Sequence, residues 1–112
     1  LCSAVERRRG NRTVAVVFGT SIDKDAREML TQLRGVADHV VLTRFHGNPR
    51  FTPIEALRGW VDGESDERPI DACIRAIRLA GDGGMVVVCG SFFLAAETRM
   101  WFRDQAGGSA PS

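Results

Sequence analysis

Three short runs constrain this chain most: Thr13-Val-Ala-Val-Val-Phe18, His39-Val-Val-Leu-Thr43 and Met85-Val-Val-Val-Cys89. Each is rich in β-branched residues and lacks an apolar/polar alternation. That pattern reads as a strand covered on both faces, as in parallel sheets packed between helices. The segments between them change period. Ala26, Met29, Leu30 and Leu33 recur at helical spacing, and so do Ile70, Cys73, Ile74 and Ile77. Buried strands alternating with amphipathic helices predict a three-layer, Rossmann-like α/β domain. Its sheet is mostly parallel, joined by right-handed crossovers and flanked by helices.

Local signals set the element ends. Residues 1–9 read as a helix with Leu1, Ala4 and Val5 on one face, stopped by Gly10. Asp25 and Glu28 form a capping pair before the next helix, which Gly35 closes. Thr52-Pro53-Ile54-Glu55 has Ser/Thr-x-x-Glu spacing with proline at the first helical position, and this helix is expected to reach about Val61. Asp62 to Arg68 is a polar connection, and the pattern does not establish a short fourth strand over 59–64. Pro69 opens a helix ended by Gly81. Gly90-Ser91 leads into a last helix carrying Phe92, Leu94, Ala95, Thr98 and Trp101. The domain is expected to span 1–106, with 107–112 (GGSAPS) a disordered tail.

The 112 residues fit one domain. Fifteen basic and 14 acidic side chains leave a net charge of +1, which gives no electrostatic footprint for nucleic acid or an anionic membrane. The one basic run, Arg7-Arg8-Arg9, could touch a phosphate but reads first as a solvated helix end. No apolar stretch approaches the roughly 20 residues of a membrane span, and LCSAVERRRG lacks the core of a secretory signal. Cys2, Cys73 and Cys89 have neither CxxC nor Cys/His ligand spacing, so neither a zinc site nor a disulfide framework is expected, and the usage fits a reducing cytoplasm. The chain starts at Leu1, in mid-helix and without an initiator methionine, and is expected to be a piece of a longer enzyme.

Ligands of open parallel sheets gather at the carboxyl ends of the strands. Three loops fall there: Gly19 to Asp25, Arg44 to Arg50, and Gly90-Ser91. The first sets Asp23 and Asp25 around Lys24, a pattern suited to ribose hydroxyls and a phosphate, or simply to a helix cap. The second offers Arg44, His46, Asn48 and Arg50. A guanidinium fork matches a carboxylate or phosphate, although Asn-Pro is also ordinary turn chemistry and His46 also reads as a surface histidine. In the third, Ser91 at a helix start either meets an anion or caps the helix. No GxxxxGKS/T, GxGxxG or GxSxG occurs, so this stretch alone is not expected to hydrolyse ATP or carry a serine nucleophile.

Taken in order, Val-Phe-Gly-Thr-Ser-Ile-Asp-Lys-Asp, Val-Leu-Thr-Arg…Asn-Pro-Arg and Val-Cys-Gly-Ser-Phe-Phe-Leu-Ala-Ala-Glu-Thr-Arg resemble the carboxy-terminal domain of the folylpolyglutamate synthase/dihydrofolate synthase family. That family is a branch of the Mur ligases, and the resemblance covers roughly residues 1–103. Cys89 stands where the family usually has threonine, and Phe51 where a small residue is common. The resemblance implies an enzyme that joins glutamate to a folate or dihydropteroate carboxylate. There ATP first makes an acyl phosphate, and the glutamate amine displaces the phosphate. It places the P-loop, the magnesium ligands and most of the folate site in an amino-terminal ATPase domain, the partner over which this domain closes. It puts Asp23 and Lys24 at the nucleotide and Ser91 and Arg50 at the glutamate, with Asp25 and His46 as support. It assigns no general base and no metal ligand to this stretch. Two rivals are the same domain of another Mur-type ligase and a stand-alone nucleotide-binding α/β module.

Overall fold

The computed structural model describes the backbone of residues 2–109 and the side chains of residues 2–104. Among the described residues the chain runs α1 (Cys2–Arg9), β1 (Val14–Phe18), α2 (Ala26–Leu33), β2 (His39–Leu42), α3 (Ile54–Arg58), β3 (Glu64–Ser65), α4 (Pro69–Ala80), β4 (Met85–Cys89) and α5 (Phe92–Ser109). The four strands form one sheet in the order β3-β2-β1-β4. Every pairing is parallel, with Val16 opposite Val40 on one side and Val87 on the other. This is the expected fold class.

Strand alternation sorts the core into two layers. Val14, Val16 and Phe18 of β1 point to one face, where they meet Val5 of α1, Leu30 and Leu33 of α2, and Leu57 of α3. Ala15 and Val17 point to the other face, against Ala72, Cys73 and Ala76 of α4 and Leu94 of α5. All five β1 residues are fully buried because β1 has a strand on each side and a helix layer on each face.

Several elements differ from the sequence expectation. β4 is half-buried throughout rather than buried, because it is the last strand of the sheet and has one neighbour. The stretch 62–68 is not wholly a connection. Glu64-Ser65 pairs with Val41-Leu42 as a short edge strand, held by Arg75 of α4, which reaches Glu64 at 2.9 Å and Asp66 at 3.2 Å. A two-residue polar edge leaves no hydrophobic period to detect. α3 stops at Arg58, short of Val61, where Gly59 supplies its carboxyl cap, and no side chain caps its start. The Thr52 amide instead donates to the Thr20 carbonyl at 2.8 Å. The buried stripe of α4 is Pro69, Ala72, Cys73, Ala76 and Ala80, and Ile77 is exposed. Small side chains let the helix lie close to the sheet, and close approach wins over the bulkier stripe. α5 continues to Ser109, past the expected boundary at 106, since no proline interrupts its hydrogen bonds before Pro111. The rest of the expected tail, 110–112, lies outside the described residues.

Candidate functional site

Because β1, β2 and β4 are parallel, the loops that follow them open on one edge of the sheet. Asp23, Arg50 and Ser91 therefore share that edge, as the strand assignments require. Two contacts draw the first and third loops together. The Thr20 hydroxyl, fully buried, donates to the Gly90 carbonyl at 2.8 Å. Gly90 has φ of +106°, and a Cβ there would lie 2.5 Å from the Gly19 carbonyl oxygen. Only glycine permits this approach.

The result is a cleft of about 550 Å³ lined by Ser21, Asp23, Lys24, Met29, Gly90, Ser91, Phe92 and Phe93. Asp23 and Lys24 are exposed at its mouth. Asp25 is committed locally: its carboxylate accepts the Glu28 amide at 3.1 Å and caps α2. Ser91 caps α5, its hydroxyl oxygen accepting the Phe93 amide at 3.1 Å. A serine that accepts in this way keeps its own O–H to donate, so capping and ligand contact are compatible. Phe92 and Ile22 are largely exposed and Phe93 partly so, which gives the site an apolar rim.

The second loop reaches the same edge through its backbone. Ser21 and Phe51 form an antiparallel bridge, and the Ile22 amide donates to the Arg50 carbonyl at 2.9 Å. Asn48 holds the turn by accepting the Arg50 amide at 2.8 Å. The Arg50 side chain is exposed beside the cleft rather than among its walls. His46 faces away: its Nε2 is 2.7 Å from the Glu67 carbonyl oxygen, and it lines a separate depression with Arg68 and Pro69. Among the described residues no group of three His, Cys, Asp or Glu side chains comes together.

Arg44, singled out in the sequence, stacks its guanidinium 3.4 Å from the centre of the Phe51 ring. Two contributors escaped the sequence reading. Thr20 is the buried tie just described. Glu97 accepts both the His46 and the Gly47 amides. Thr20 and Glu97 lie inside the motifs quoted above, but nothing in the spacing shows what they touch.

A three-layer parallel sheet with an open cleft at the carboxyl ends of its strands is the layout in which α/β domains hold their ligands. The chain belongs to the family of the Mur ligase glutamate ligase domain, whose model matches residues 1–92. No curated protein matches it. Solved structures do. The Escherichia coli FolC complex with ADP, without folate substrate, superposes with a TM-score of 0.82 at 26% identity, covering 96% of this chain and 26% of that one. FolC with DHPP and ADP gives 0.77 at 25% identity, covering 94% and 25%. The bifunctional folylpolyglutamate synthase/dihydrofolate synthase of Yersinia pestis, complexed with AMPPNP and Mn ion, gives 0.77 at 23% identity, covering 91% and 26%. The chain thus spans about a quarter of the length of these enzymes, and the Yersinia likeness bears on the fold alone.

Proposed function

We propose that this chain is the substrate-closing domain of an ATP-dependent ligase that adds glutamate to folate or dihydropteroate. The observation that carries the reading is the shared cleft: the Ser91 hydroxyl, at the start of α5, opens on the same space as Asp23 and Lys24. A carboxylate at Ser91 meets an O–H donor and the positive end of the helix. Asp23 offers acceptors to ribose hydroxyls, and Lys24 offers a cation to phosphate oxygens. The nucleotide, when bound with magnesium, supplies the phosphoryl group that activates the acid. The part of this chain is to hold the incoming glutamate and shut water out as the glutamate amine attacks. Family membership, the ADP named for the FolC complexes and the DHPP named for one of them support this reading. The phosphate-binding loop, the metal ligands and most of the folate site are assigned to an amino-terminal ATPase domain of the same polypeptide, and the reaction to the cytoplasm.

The test is reconstitution. The full-length polypeptide, given ATP, magnesium, glutamate and either dihydropteroate or a folate, is expected to form the glutamyl product and release phosphate. Residues 1–112 alone are expected to do neither, because they lack the electrostatic stabilisation that phosphoryl transfer needs. Phosphate release by the isolated chain well above a protein-free control, or transfer of a different amino acid by the full polypeptide, overturns the reading.

A further inference from the structure

Glu97 lies on α5 six residues beyond Ser91, and its carboxylate reaches across to the loop between β2 and α3. Its two oxygens accept the His46 amide at 2.9 and 2.7 Å, and one of them also accepts the Gly47 amide at 2.9 Å. The partners are about 50 residues apart in sequence, so only the fold brings them together. Among the described residues no Lys, Arg or His side chain lies within ion-pair distance of this carboxylate. It is held by backbone amides alone, the geometry of a charge-assisted tether. The rest of the loop is fixed to either side: Phe45 is buried with its ring 5.3 Å from that of Phe93, and Asn48 holds the turn into Arg50. Between these points His46 and Gly47 are exposed residues whose amides have Glu97 as their acceptor, and the His46 ring also meets the Glu67 carbonyl at 2.7 Å.

We infer that Glu97 is a positioning residue that locks the β2–α3 loop onto α5 and, together with the Ile22–Arg50 backbone bond, sets where Arg50 stands relative to Ser91. The link is short. Ser91 starts the helix that carries Glu97, and Arg50 ends the turn that follows the clamped amides. Water replaces a lost carboxylate at a half-exposed site, so breaking the clamp frees the loop without unfolding the domain. The kinetic part of this inference rests on the reading of the cleft as a glutamate site, and the structural part does not.

The experiment compares Glu97→Ala and Glu97→Gln with the parent in the full-length polypeptide. Amide hydrogen exchange is read over residues 44–50, beside the melting temperature and the Michaelis constants for glutamate and ATP. In Glu97→Ala, exchange at His46 and Gly47 should quicken roughly tenfold or more, as expected for losing hydrogen bonds to a charged acceptor. The glutamate constant should rise by about the same factor, while the ATP constant and melting temperature hold. Glu97→Gln keeps one acceptor oxygen and should fall between the two. Unchanged exchange in Glu97→Ala overturns the inference, and so does faster exchange with an unchanged glutamate constant. If the parent itself ligates no glutamate, the proposed function fails instead. The clamp then stands on local loss of protection at constant melting temperature and falls on its retention.

Discussion

The Thr20 hydroxyl donates to the Gly90 carbonyl at 2.8 Å, fastening the end of β1 to the end of β4, 70 residues on. Gly90 lines the cleft, and Thr20 lies fully buried behind it. The buried Gly19 amide adds a bond to the Cys89 carbonyl at 3.4 Å, so the cleft keeps its shape through these two bonds and the glycine contact beside them.

Gly90→Ala should therefore be severe. A Cβ at 2.5 Å from the Gly19 carbonyl oxygen must push two strand ends apart, and φ of +106° is costly for alanine in any case. A loss of more than about 2 kcal/mol is expected by urea denaturation. Gly10→Ala is the control: φ is +55°, nothing lies within 4 Å of the added Cβ, and the cost should stay near 1 kcal/mol. Equal costs at the two positions would mean that the Gly19–Gly90 approach is not a constraint.

Ser91→Ala in the full-length enzyme separates capping from substrate contact. Losing the cap should cost about 1 kcal/mol of stability. Losing a hydrogen bond to a bound carboxylate should raise the glutamate Michaelis constant roughly tenfold to a hundredfold, with the ATP constant little changed. Steady-state kinetics and a melting curve on the same sample decide. A lowered melting temperature with an unchanged glutamate constant would leave Ser91 as a cap alone.

Thr43 is fully buried at the end of β2, and among the described residues its hydroxyl has no hydrogen-bond partner. Thr43→Val keeps the shape and removes the unpaired group. The variant should gain about 1 kcal/mol, read as a rise of roughly 4 °C in melting temperature. A clear loss of stability would show that the hydroxyl is bonded in solution.

Acid should loosen the opposite edge of the sheet first. The Asp38 carboxylate accepts the Val14 amide at 2.7 Å and pairs with Arg9 at 2.7 Å. That amide bond, with the Arg9 charge beside it, holds the Asp38 carboxyl below its ordinary value of 3.8 despite partial burial. A carboxylate whose folded value is depressed stabilises the fold fully above its unfolded value. The contribution is lost as pH falls from there through the folded value. Parent and Asp38→Asn should thus differ in stability at neutral pH and converge below about pH 3. A difference that persists unchanged at low pH would rule out the carboxylate as the cause.

Much of the fold was legible in the sequence because it rests on local rules. β-branched apolar runs can satisfy themselves only as covered strands, helical spacing marks the segments between them, and parallel connections then put three loops on one edge. That reasoning puts Asp23, Arg50 and Ser91 on one edge of the sheet, and of the two roles it offers Asp25 the structure shows the cap. Tertiary structure decided what depends on neighbours distant in sequence. Strand order made β4 an edge and left Met85 to Cys89 half-buried, although their composition matches that of β1. Close packing chose the alanine stripe of α4 over its isoleucines. Pairing to Val41-Leu42 made a strand of Glu64-Ser65, which has no period of its own. The ties Thr20–Gly90 and Glu97–His46 join residues 70 and 51 positions apart. A hydrogen bond across such a separation has no local signature, because its partners are selected by the packing of the layers between them and not by spacing along the chain.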